Sequence, residues 1–141
     1  MFTKEFGDYA CDGATIECEK DGFEIVARIE MDSDYHIDND DCHNVDQSVT
    51  GCTDEQFKRM MKARTAWLND EWFCCGVVLS VSRKGIELDS YAASLWGIEC
   101  SYPGSTNEYL TEVANELLDE AIAVGKQRIE ELCINEMRGE R

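Results

Sequence analysis

The stretch WFCCGVVLSVSRKGIELDSYAASLWGIE, residues 72–99, leaves little room for anything but antiparallel strands. Phe73, Cys75, Val77, Leu79 and Val81 alternate on one face, SRKG supplies a polar turn, and Ile86 and Leu88 resume the pattern on the return. A period of two puts these apolar side chains on one side of a sheet, and that side needs a cover. Upstream, ATIECEKDGFEIVARIEM repeats the plan. Asp21-Gly22 offers a positive-φ turn, and Phe23, Ile25, Ala27, Ile29 and Met31 alternate along the strand that follows.

Two amphipathic helices are available as covers. In TDEQFKRMMKARTAWLNDEW, Thr53 and Gln56 have the spacing of a capping box, and Phe57, Met60, Met61, Ala63, Trp67 and Leu68 give an apolar side. After the loop around Pro103, Ser105 and Glu108 suggest a second capping box. Leu110, Val113, Ala114, Leu117, Leu118, Ala121, Ile129 and Leu132 then mark a buried stripe that Gly125 weakens partway. Phe2, Phe6 and Tyr9 suggest an N-terminal arm laid on the core. The order β-β-α-β-β-α predicts an α+β fold. It has an antiparallel sheet, helices packed on one face, a long C-terminal helix, one domain over residues 1–141 and an acidic loop segment at 32–52. Trp72, Leu95 and Trp96 are expected to anchor the core, and Gly97 to permit a bend or bulge.

Charge narrows the function. Thirty acidic side chains against thirteen basic ones give −17. That balance disfavours direct contact with nucleic acid and anionic membranes, and favours basic partners with salt-dependent attraction; solubility is its plain alternative. No apolar run approaches a membrane span, and the N-terminal residues lack the apolar core of a signal segment. A cytoplasmic chain with reduced thiols is expected, most of its cysteines serving as small buried hydrophobes.

MDSDYHIDNDDCHNVD, residues 31–46, contains both histidines and a dense set of aspartates. His36, Cys42, His43 and Cys52 could supply four metal donors, but their spacing matches no usual zinc pattern. Asp32 and Asp34 begin a calcium-loop pattern that lacks its glycine and terminal glutamate. No phosphate cradle, nucleophile turn or paired-histidine helix motif is present, so neither a catalytic residue nor a cofactor is expected. The segment reads as exposed, mobile and strongly negative. The long helix adds Glu108, Glu112, Glu116 and Glu120 at four-residue spacing, with Asp119 alongside. These form a slowly winding line of charge, either a solvated outer face or a rod that imitates a nucleic-acid backbone. The acids expected to meet a partner are Asp32, Asp34, Asp38, Asp40, Asp41, Asp46, Glu108, Glu112, Glu116, Asp119 and Glu120.

NDEW at 69–72, GVV at 76–78, AASLWGIE at 92–99 and YLTEVANELLDEA at 109–121 carry a resemblance. Over residues 67–122 the chain resembles a family of small acidic proteins encoded by bacteriophages, prophages and mobile elements of Gram-negative bacteria. The resemblance transfers no catalytic or binding residue. It implies a setting in which inhibitors of host defence, of anti-CRISPR or anti-restriction type, are common. The expected partner is then a basic host nucleic-acid-binding protein or complex, with a homodimer also possible.

Overall fold

The computed structural model describes residues 1–44 and 46–137. Strands β1 (Thr15–Lys20), β2 (Phe23–Met31), β3 (Phe73–Arg83) and β4 (Ile86–Cys100) form one antiparallel sheet in the order β1-β2-β3-β4. Both hairpins turn on two residues with positive φ: Asp21 (55°) with Gly22 (82°), and Lys84 (50°) with Gly85 (78°). Turns of this hand match the twist of the strands they join. Helices α1 (Gln47–Thr50) and α2 (Asp54–Leu68) lie between β2 and β3, and α3 (Glu108–Met137) follows β4. The fold is therefore α+β, a four-stranded antiparallel sheet with a long C-terminal helix; the single turn α1 is an element the sequence pattern does not announce.

Helix α3 covers one face of the sheet. Leu110, Val113, Ala114, Leu118, Ala121 and Ile122 pack on the alternating residues of β2 and β3, and each of the Leu, Val and Ile side chains contributes roughly 1.5–3 kcal/mol on burial. Phe2 and Phe6 join this core, and their backbone N–H groups donate to Asn115 Oδ1 (2.8 Å) and Thr111 Oγ1 (2.9 Å). At Gly125 α3 passes close to the sheet. A Cβ there would lie 2.9 Å from Val81 Cγ2 and 3.0 Å from Phe23 Cε1. Exposed Gly→Ala changes in helices usually gain about 1 kcal/mol. Gly125→Ala is expected instead to lose about 1–2 kcal/mol in urea unfolding, because both neighbours are locked in the core.

Several expected core residues lie elsewhere. Leu95 and Trp96 are 42% and 45% exposed, because β4 is an edge of the sheet and no described strand flanks it. Cys75 faces Ile98 and Val77 faces Leu95, so Gly76 is opposed by both Trp96 and Gly97, and Gly97 takes φ 79°. This bulge turns the Trp96 indole onto Gly76, where a Cβ would come within 2.4 Å of Trp96 Cδ2. Trp96 thus fills the missing side chain on the face away from α3. Tyr9, Met31 and Leu132 are exposed as well. Of the eight cysteines, all free, only Cys74, Cys75 and Cys100 are buried, so burial accounts for a minority of them.

The two long helices do not share a sheet face as expected. Helix α2 begins at the capping box of Thr53 and Gln56 and ends where Glu71 N–H donates to Ala66 O (2.9 Å) and Asp70 N–H to Trp67 O (3.0 Å). Asp70 sits in the left-handed region, φ 59°, where glycine is commoner. The helix does not join the sheet core. Its Ala66 packs with Ile37 and Trp72 in a second cluster, edged by Tyr35, Trp67 and Tyr102. The expected box at the start of α3 does not form either: the helix begins at Glu108, and Ser105 Oγ donates to Thr106 O instead.

Candidate functional site

The acidic segment is fastened where the sequence suggests mobility. Ile37 is fully buried and His43 is 7% exposed. The His43 ring lies 5.5 Å from Trp72 and 5.7 Å from Tyr102, with Nε2 3.5 Å from Glu99 Oε1 and 3.9 Å from Asp40 Oδ2. Tyr35 OH donates to Asp40 Oδ2 at 2.8 Å. Burial first, and this bond second, push the Tyr35 phenol well above its ordinary range. The segment lies on the Cys74 side of the sheet, because His43 meets Glu99, which pairs with Cys74 across β3 and β4; α3 covers the Cys75 side.

Half of the loop aspartates, with His36 and Asn44, hold turns. Asp32 Oδ1 accepts from Asp34 N–H (3.0 Å), His36 Nδ1 from Asp38 N–H (3.1 Å), Asp40 Oδ1 from Cys42 N–H (3.0 Å) and Asn44 Oδ1 from Asp46 N–H (3.0 Å). Asp46 Oδ1 accepts from Ser48 N–H (3.0 Å) and caps α1. Each is a side-chain acceptor satisfying the backbone donor two residues on, and in the first four the motif recurs every fourth position. Asp38 pairs with Arg64 of α2, and that hydrogen bond holds its carboxyl below the usual range. Asp34 and Asp41 remain as exposed acids whose carboxylates contact no described cation.

The four candidate metal donors do not converge. His36 lies on Trp67 at 4.9 Å, His43 belongs to the Trp72 cluster, and Cys42 and Cys52 line a separate shallow cleft beside Arg59 and Met60. Among the described residues, no three His, Cys, Asp or Glu side chains come together to hold a metal ion. No described helix is long and apolar enough to cross a membrane.

The second acidic surface is organised differently. On α3, Thr111 and Asn115 hold the N-terminal arm, and Asp119 pairs with Lys20 of β1 (3.0 Å), so this flank looks toward β1. Glu112, Glu116 and Glu120 each follow one of these residues, about 100° further round the helix, on its outer face. With Glu108 they are exposed, and none makes an ion pair with a described residue. A four-residue step advances about 40°, so the line drifts toward the β4 side by Glu120. Here α3 runs antiparallel to β4 and is fastened by Arg128 Nη2 to Asp89 Oδ2 (3.0 Å). A cleft of about 320 Å³ separates Gly97 and Glu99 of β4 from Tyr109 of α3.

The sequence signal for this surface is an absence. None of the Lys and Arg residues falls between Lys84 and Lys126, a stretch holding Glu87, Asp89, Glu99, Glu108, Glu112, Glu116, Asp119 and Glu120. Asp89 itself is structural. The Tyr91 N–H first, and Arg128 second, hold its carboxyl below the ordinary range. A depressed folded pKa stabilises the fold above the unfolded value, near 3.9, and that contribution disappears as pH falls through the lowered one. Asp89→Asn is therefore expected to lower stability at neutral pH and to flatten the acid limb of a stability-against-pH curve below about pH 4. No protein-family model, curated protein or solved structure matches this chain.

Proposed function

We propose that the protein is a non-enzymatic inhibitor from a phage or mobile element, which binds a basic, nucleic-acid-handling host protein and competes with nucleic acid for its cationic channel. The outer face of α3 is the principal contact. The observation that carries this reading is the row Glu108, Glu112, Glu116 and Glu120: exposed, consecutive along one helix face and without cation partners among the described residues. Like charges four residues apart disfavour a helix by about 0.2–0.5 kcal/mol per pair, and the helix dipole relieves only the first turn. A row kept at that expense suits a receptor outside the chain.

The resemblance over residues 67–122 supports the same surface, since it spans β3, β4 and the first part of α3 and leaves out the acidic loop. The loop takes a lesser part in this reading. Asp32, Asp40 and Asp46 hold turns and Asp38 is paired with Arg64, leaving Asp34 and Asp41 as the exposed acids with no such role among the described residues.

The test is a pull-down from host lysate, followed by competition with duplex DNA over a series of salt concentrations. The expected result is a basic nucleic-acid-binding protein that DNA displaces, with affinity falling steeply as salt rises. Recovery only of partners indifferent to DNA would contradict the proposal. So would a chain whose sole stable partner is a second copy of itself.

A further inference from the structure

We infer that the free edge of β4 receives an extended, basic segment of the partner as a fifth strand, seated beside the glutamates of α3. This deepens the preceding reading and rests on its basic partner.

Strand β4 is the longest in the sheet, Ile86–Cys100, and it forms one edge. Its outer backbone groups make no hydrogen bonds to other described elements. Edge strands are commonly guarded by Lys, Pro or a β-bulge; β4 contains neither Lys nor Pro, and its irregularities are the three register shifts in its pairing with β3. It presents Ile86, Tyr91, Leu95 and Trp96 as exposed apolar side chains, more than any other element described. Leu95 shares the α3 side of the sheet with its neighbour Val77, and Tyr109 stands across the cleft from Gly97.

Charge selects the occupant. A second copy would set the cation-free stretch between Lys84 and Lys126 against itself. A strand alternating Lys or Arg with apolar residues meets no such repulsion. By alternation its cations would fall on the α3 side, facing Glu116 and Glu120, and its apolar side chains on the other side, beside Tyr91 and Trp96, which lie on the face away from α3. Strand addition divides the work in this way: main-chain bonds give affinity, and alternating side chains give selectivity.

The probe is a blocked peptide of alternating lysine and valine, compared with the same peptide N-methylated at alternate amides. Amide hydrogen exchange of the full chain is followed by NMR. The expected result is protection of β4 amides by the first peptide, and about tenfold or greater weakening on N-methylation, as loss of two or more hydrogen bonds would give. Equal binding of both peptides, or protection confined to α3, overturns strand addition and leaves the acidic-surface reading intact. Binding of neither peptide at low salt overturns both. A free chain that is already dimeric with β4 amides protected overturns the inference in favour of a second copy.

Discussion

Replacing Trp72 with alanine is expected to lower the unfolding free energy by about 3–5 kcal/mol, the largest loss for any single change considered. Trp72 is 1% exposed, and its indole N–H donates to Ala63 O at 2.8 Å. Its ring meets Tyr102 at 4.9 Å, His43 at 5.5 Å and Tyr35 at 6.2 Å. One side chain therefore joins α2, the acidic segment and the loop before α3. Because this cluster is separate from the sheet core, the damage has a location. Amide exchange should rise for residues 35–43 and along α2, while the centres of β2 and β3 keep their protection until global unfolding. Trp72→Phe retains much of the contact but forfeits the bond to Ala63, and about 1–2 kcal/mol is expected to go with it. A loss below about 1 kcal/mol for the alanine variant would mean that the second cluster does not hold the segment in place.

The second large effect concerns binding. Reversing Glu108, Glu112, Glu116 and Glu120 to lysine is expected to weaken partner affinity at least about a hundredfold, since close interfacial charge pairs couple by about 1.5 kcal/mol or more each. Stability should change by no more than about 1 kcal/mol, because a row of lysines repels itself as a row of glutamates does. The glutamine version separates the two roles. It removes the repulsion, so the fold should gain a few tenths of a kcal/mol per pair even as affinity falls. Asp34→Asn with Asp41→Asn should weaken binding far less, as those acids lie on the other side of the sheet from α3. If the loop variant is the damaging one, the two acidic surfaces have been assigned in the wrong order.

The sheet was legible in the sequence because its cues are local. Asp21-Gly22 and Lys84-Gly85 set the turns, alternation in Phe23–Ile29 names the buried face, and Cys75–Val81 follows it although Val78 and Ser80 are buried on the other face as well. What alternation does not encode is whether a further strand flanks an edge, and for that reason Leu95 and Trp96 look like core residues. The Trp96 position depends on Gly76 in the neighbouring strand, a relation visible only once the register is known. Helix α2 shows its cap and its amphipathic side but not its partner, since Ile37, Tyr35 and Trp72 come from segments separated along the chain.

The acidic segment invites a misreading of another kind. Counting its charge suggests a mobile anionic tether, whereas the acceptors at 32, 36, 40 and 44 spell a succession of turns. That signal was present in the spacing and was masked by the abundance of aspartate. The α3 row, in contrast, was readable from four-residue spacing alone. Its exposure, its lack of cation partners among the described residues and its place beside an open strand edge needed the fold.

The most direct measurement is the salt dependence of affinity for the captured partner, between about 50 and 200 mM, for the natural chain and for its fourfold glutamate-to-glutamine variant. A steep fall for the natural chain, a shallower one for the variant, and displacement of both by DNA is the predicted result. Parallel lines of equal slope would contradict it, because the row on α3 would then lie outside the contact.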